Sequence, residues 1–277
     1  MHLLRVEKRS LDDAEAAIDL SQTPAEILFL SFSDSDLSLM AEAARGRPQG
    51  AMSMRLANLA LLKHPYSVDL YVEKAANHAR FVLVRLLGGL DYWRYGVEEL
   101  SRAARAMNFA LAIVPGDGMA DERLAAASTL GIGDLRRIHE AFQLGSSERI
   151  SALFEFIANF ERARPAWRET ESGYDIPDAG LFEAGCREAS NPKGQALIVF
   201  YRSFLIANDT AAILALAAAL AARGLCVRAV FVSSLKDERA IDFICAELAA
   251  RKPDVIINTT LFSARLNSGS SVLDLAG

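Results

Sequence analysis

Two α/β domains built on parallel sheets are what this 277-residue chain predicts, with a helical segment between them. Three observations carry that expectation. Short apolar runs rich in β-formers alternate with segments of helical period, the pattern of strand–helix–strand crossovers. One of these runs, FVLVRLL at 81–87, is a continuous strand pattern suited to a sheet covered on both faces. The alternation stops near residue 120 and resumes after 194. With 52% apolar residues there is material for two cores.

The first domain is expected over 1–119. HLLRV (2–6) and ILFLSF (27–32) read as strands, while DDAEAAIDL (12–20) and SDLSLMAEAA (35–44) repeat at helical spacing. The second helix starts behind Asp34 or Ser35 as a cap. MRLANLALL (54–62) fits either period and is stopped by His64-Pro65, after which VDLYVEKAANHA (68–79) resumes a helix. A helix follows the 81–87 strand to about Ala106, then FALAIV (109–114) forms a strand ended by PGDG (115–118).

Residues 120–163 are expected to be helical, in three patterns separated by GIG (131–133) and GSS (145–147). Residues 164–194 are rich in proline, glycine and charge with little periodicity, and read as the crossing between domains. A second α/β domain then occupies 195–277. ALIVFYRSF (196–204), LCVRAVFV (225–232) and DVIINTT (254–260) are strands. The helices between them are 209–224, capped by Asp209 and closed by Gly224, and 237–251. This βαβαβ order is half of a doubly wound sheet, so both domains are expected to be flavodoxin- or Rossmann-like. No further strand pattern follows Thr260, and the second domain is expected to be truncated.

Composition narrows the function. A formal net charge of −5 without any basic block speaks against nucleic acid as a partner. No apolar run reaches the length of a membrane span: AAILALAAAL (211–220) lies between Asp209 and Arg223 and reads as a buried helix. The opening residues meet acidic side chains too early for a signal peptide. Cys186, Cys226 and Cys245 are odd in number and widely spaced, and the last two are expected to be buried thiols, as in a reducing cytoplasm. His2, His64, His78 and His139 fall in different elements without metal-ligand spacing, so no metal site is expected. There is no G-x-x-x-x-G-K-[ST], so any ATP used would be bound elsewhere.

Parallel sheets bind ligands at the carboxyl ends of their strands. Those ends carry SFSDSD (31–36), RLLGG (85–89), PGDG (115–118), YRSF (201–204), VSSLKD (232–237) and NTT (258–260). Asp34 and Asp209 read first as helix caps. Arg202 follows an apolar strand and needs a partner, either a ligand or a structural carboxylate. VRLLGGLDYWRYGVEEL (84–100) stands out. Trp93, Val97, Leu100 and Ala104 share one helical stripe, which gives Trp93 a core role. Tyr92 and Tyr95 fall on a neighbouring face, and Arg94 can pair with Glu98. The aromatic faces of Tyr92 and Trp93 could also stack on a flat ligand whose carboxylates meet Arg94 and Arg202.

That stretch closely resembles a signature of the large subunits of cobaltochelatase and magnesium chelatase. Further segments fall in that family's order: DLSQTPAEILFLSFSDSDL (19–37), MRLANLALLKHPYSVDLYVEK (54–74), IVPGD (113–117), FYRSFLIANDTAAI (200–213), VFVSSLKD (230–237) and PDVIINTTLFSA (253–264). The opening through SFSDSDL is more similar to the cobalt branch. The resemblance implies the N-terminal part of a tetrapyrrole-binding subunit that inserts cobalt, a substrate ion, into hydrogenobyrinic acid a,c-diamide in aerobic cobalamin synthesis. It implies an AAA+ ATPase partner that uses ATP and Mg, and a bridging third subunit. Catalytic residues are not expected within this stretch. The alternatives are a non-catalytic binding or scaffold piece, or the magnesium branch acting on protoporphyrin.

Overall fold

In the computed structural model the described residues are 16–116, 121–144, 147–160, 176–188, 192–235, 237–260 and 273. Their contacts divide at residue 175/176 into two compact units. The strand expected at 2–6 and the start of the helix expected at 12–20 lie outside the described residues. Residues 16–20 are not helical.

The first unit contains β1 (Ile27–Ser31), α1 (Asp34–Arg45), β2 (Met54–Asn58), α2 (Pro65–Lys74), β3 (Phe81–Leu86), α3 (Arg94–Met107) and β4 (Ala110–Pro115). Three helices follow, α4 (Glu122–Ala127), α5 (Ile132–Leu144) and α6 (Ser147–Asn159). Its sheet is all parallel in the order β2-β1-β3-β4. Both faces are covered, which is why β1 and β3 are buried at every position. On one face Leu28, Leu30, Val82, Val84 and Leu111 pack with Val68, Val97 and Leu100 of the helices. On the other, Phe29 stacks on Phe142 of α5 with centroids 5.6 Å apart, and Phe81 meets Phe156 of α6 edge-on. The ambiguous segment at 54–62 splits: β2 ends at Asn58, whose side chain caps a 3₁₀ turn over Leu59–Leu62. Helix α1 is capped by Ser33, not by Asp34 or Ser35. The serine sits at the bend where extended backbone ends, and its hydroxyl accepts from Asp36 N at 3.3 Å.

The second unit comprises β5 (Ala179–Leu181), β6 (Gly194–Tyr201), α7 (Arg202–Ile206), α8 (Ala211–Ala221), β7 (Leu225–Val232), α9 (Glu238–Ala250) and β8 (Val255–Asn258). The order is β5-β7-β6-β8, with β6, β7 and β8 parallel and β5 antiparallel to β7. The sheet is therefore mixed where a parallel one was expected. Three residues, AGL, are too few to show a period, and a side chain at Gly180 would strike the Phe231 ring at 2.6 Å. Helix α8 is capped at Thr210 rather than Asp209, and buries only the stripe of Ile213 and Ala217. Cys226 is buried as expected, but Cys245 is exposed on α9. Among the described residues no helix is long and apolar enough to cross a membrane.

Candidate functional site

The order β2-β1-β3-β4 reverses direction between β1 and β3, and the crevice of a doubly wound sheet opens outside the carboxyl ends of those two strands. In the first unit this places SFSDSD and RLLGG side by side. Arg85 projects from β3 and is buried, as are Ser31 and Asp36. The Arg85 guanidinium is ion-paired with Asp36 and donates from Nη2 to the Gly116 carbonyl at 3.1 Å. Ser31 Oγ donates to the other Asp36 oxygen at 2.8 Å and accepts from Ser33 N at 3.0 Å. The guanidinium lies 4.5 Å from the Phe142 ring centre. This network ties together the two strands that flank the crevice. Its signal in the sequence was one charged residue inside an otherwise apolar buried strand.

The rim is polar. Asn58 Nδ2 donates to Asp34 Oδ1 at 2.7 Å, so Asp34 faces the end of β2 instead of capping α1. His139 of α5 places Nδ1 3.1 Å from the Pro115 carbonyl.

After β3 the chain turns through Gly88 and Gly89 at φ of 80° and 72°, a region that favours glycine. A side chain at Gly88 would meet Tyr92 at 3.2 Å, so the glycine also seats the tyrosine. Tyr92 is half exposed, its edge packed on Phe32 at 5.0 Å, with Lys63 Nζ 5.9 Å from its ring centre. Trp93 turns the opposite way. Only 6% exposed, it joins the core and donates from Nε1 to the Leu62 carbonyl at 2.8 Å. Val97, Leu100 and Ala104 are buried with it, as their shared stripe predicted. Packing therefore occupies the indole.

Arg94 is exposed and paired with Asp91, three residues before it, rather than with Glu98. Asp91 also receives Arg123 at 2.9 Å, and Arg123 bonds Asp121 at 3.0 Å. Arg123 first and Arg94 second hold Asp91 below the usual carboxylate range, and Arg123 does the same to Asp121. Asp121 Oδ2 in turn accepts from Leu90 N at 3.1 Å and so clasps the glycine turn. Tyr95 donates to Asp69 at 2.7 Å, which pushes its phenol up to about 12. A groove of about 410 Å³ runs along α3 on this side, with Leu90, Val97 and Ala127 as apolar lining and Arg102 and Arg105 among its polar residues.

In the second unit Arg202 directly follows β6 and is buried. Its Nη1 donates to the Ile176 carbonyl at 3.0 Å and to Asp178 at 3.4 Å. Burial lowers its pKa, while Asp178 and Asp237 act in the opposite sense. Among the described residues no group of three or more His, Cys, Asp or Glu could hold a metal ion.

Two α/β units, one on an all-parallel sheet and one on a mixed sheet, make up the described chain, and the first carries a polar strand-end crevice braced by a buried ion pair. Residues 143–274 match the family model CobN/Magnesium Chelatase. The chain is 38% identical, over 95% of its length, to the aerobic cobaltochelatase subunit CobN of Sinorhizobium sp. It is 36% identical over 95% of its length to the subunit of the same name in Pseudomonas aeruginosa. The chain is similar to these members of the CobN/magnesium chelatase family, and it spans 22% of the length of these two relatives. The solved catalytic subunit of cobaltochelatase from Mycobacterium tuberculosis shares the fold, with a TM-score of 0.53 and 21% identity over 88% of this chain and 19% of that one.

Proposed function

We propose that this chain is the N-terminal part of the tetrapyrrole-binding large subunit of an ATP-dependent cobaltochelatase, acting in the cytoplasm. Its substrates on this reading are cobalt and hydrogenobyrinic acid a,c-diamide, in aerobic cobalamin synthesis. The observation that carries the reading is the 38% identity to an aerobic cobaltochelatase subunit, sustained over 95% of the chain. A separate AAA+ subunit would use ATP and Mg, and a third subunit would bridge the two. Insertion requires that protons on ring nitrogens pass to a base while the metal sheds its water.

The part assigned to this chain is binding. Tyr92 offers a seated aromatic face at the mouth of the first crevice, and Arg94 offers an exposed guanidinium beside it. Trp93 supports them from the core, and Arg202 organises the end of β6.

The test is a titration of the full subunit with hydrogenobyrinic acid a,c-diamide, followed by corrinoid absorption. Tyr92→Ala combined with Arg94→Ala should weaken binding about tenfold, close to 1.4 kcal/mol. Unchanged affinity and insertion rate in a folded double variant would make this region a non-catalytic scaffold. Stronger binding of protoporphyrin would move the chain to the magnesium branch.

A further inference from the structure

Tyr92, Trp93 and Arg94 send their side chains to three places, and one of them leads to a residue that the strand-end pattern did not mark. Tyr92 faces out, Arg94 pairs with Asp91, and Trp93 turns into the core to donate to the Leu62 carbonyl. That carbonyl belongs to the peptide that joins Leu62 to Lys63. The connection from β3 to α3 is therefore tied to the connection from β2 to α2 at the base of Lys63.

The tie is reinforced on both sides. Leu59 and Leu62 of the 3₁₀ turn are fully buried, and the Asn58 side chain caps that turn by accepting from Ala60 N at 2.9 Å. After Lys63, His64 caps α2 by accepting from Tyr66 N through Nδ1 at 3.1 Å. The backbone at Lys63 is thus set, while its side chain is exposed. Its ammonium lies over the Tyr92 ring, 5.9 Å from the centre. Because β1 runs between β2 and β3, Lys63 crosses the end of β1 to get there. Phe32, the residue after β1, supports the same ring at its edge.

The cations around Tyr92 differ in what engages them. Arg94 holds Asp91, and Arg123 holds both Asp91 and Asp121. A ligand carboxylate arriving at either guanidinium competes with a carboxylate already in place. Lys63 instead rests on a π face, near the outer limit of about 6 Å for such a contact. An incoming carboxylate displaces that contact at little cost. The flexible four-carbon stem lets the charge move from the ring face to the edge of a flat ligand laid on it.

We propose that Lys63 is a further substrate-binding residue at the mouth of the first crevice. It pairs with a free carboxylate on the rim of a flat ligand stacked on Tyr92, and so selects the acid form of that ligand over its amide. The inference rests on the tetrapyrrole reading and deepens it, since hydrogenobyrinic acid a,c-diamide keeps carboxylates besides its amidated positions.

The full subunit is titrated with hydrogenobyrinic acid a,c-diamide and, separately, with the same macrocycle amidated at every carboxylate, both followed by corrinoid absorption. Lys63→Met keeps the apolar stem and removes the charge. It should weaken binding of the acid about fivefold, the upper end for an exposed ion pair, and that of the amidated form by less than about twofold. Lys63→Arg should bind the acid as the native subunit does, and the loss in Lys63→Met should shrink at high salt. Equal losses for both macrocycles would mean that Lys63 only seats the Tyr92 ring, and unchanged affinity for the acid would mean that it does not meet the ligand. Either result overturns the proposal. Tyr92→Ala combined with Arg94→Ala in the same titration separates the two failures. If that variant weakens binding and Lys63→Met does not, the role of Lys63 alone falls; if neither does, the tetrapyrrole reading of this region falls with it.

Discussion

Gly96→Ala is the sharpest perturbation of the segment that joins β3 to α3. The backbone of α3 would accept alanine, and in an ordinary helix interior the change stabilises by about 1 kcal/mol. Here the new Cβ would sit 2.1 Å from Cε2 of Trp93 and 2.2 Å from Cζ2, well inside contact distance. The indole is buried and its N–H is committed to the Leu62 carbonyl, so it cannot swing away freely. Forcing it to shift costs about 1–3 kcal/mol of strain, and losing the bond leaves a buried donor and acceptor unpaired, for a further 1–3 kcal/mol or so. Against the propensity gain, the net expectation is a loss of about 2 kcal/mol. Urea denaturation of the first unit, followed by far-ultraviolet circular dichroism, reads this as a lower midpoint at constant slope. The companion experiment uses a Trp93→Leu background, where the obstacle is gone and Gly96→Ala should stabilise by up to about 1 kcal/mol. A neutral or stabilising Gly96→Ala in the native background, or the same effect in both, would refute the reasoning.

Arg85→Met should destabilise the first unit by about 3–5 kcal/mol, because it leaves the buried Asp36 carboxylate unpaired. Adding Asp36→Leu should recover most of that loss in the same urea assay, and a double variant no better than the single one would argue against the pairing. The acid limb of stability should depend on Arg123. Asp91 and Asp121 have folded pKa values below their unfolded value of about 3.9. Their contribution is therefore present above about pH 4 and lost as pH falls through the folded values. Arg123→Gln should be less stable than the native chain at pH 7, and the difference should shrink below about pH 4. A gap that stays constant or widens in acid would be inconsistent with these pairs.

Much of the framework was readable because burial imposes composition. FVLVRLL marked β3, FALAIV marked β4, and the period of DERAIDFICAELAAR marked α9, each to within a residue or two. The misses share a cause, which is that local signals were short or shared between neighbours. At SFSDSD the adjacent serines and aspartates can each cap a helix, so the expectation fell on Asp34 or Ser35, and only the backbone bend selects Ser33. The three residues of β5 carry no period, so its antiparallel pairing was invisible. In the candidate site, the positions of Tyr92 and Arg94 at the end of a strand followed from sequence order. The partnership of Arg85 with Asp36 did not, because it joins residues 49 apart, one on β3 and the other at the start of α1. Arg94 found Asp91 in place of Glu98 because the 3₁₀ turn over Leu90–Tyr92 delays the helix start, which brings the aspartate within reach.

Both units wind alike. In each, the first parallel strand of the set is central, the second lies on one side and the third on the other: β2-β1-β3 and β7-β6-β8. Each has a buried arginine at the carboxyl edge of its sheet, but the two are tied differently. Arg85 reaches from β3 to Asp36 behind β1 and so fixes both walls of the first crevice. Such a buried pair adds little net stability over an apolar replacement, so its use here is to hold one geometry. Arg202 instead bonds Ile176 and Asp178, and the Asp178 carbonyl accepts from Ser233 N just past β7. The two bonds from Arg202 tie it to the segment that leads into β5. The strand-end crevice of the first unit is thus held in one geometry by its own residues.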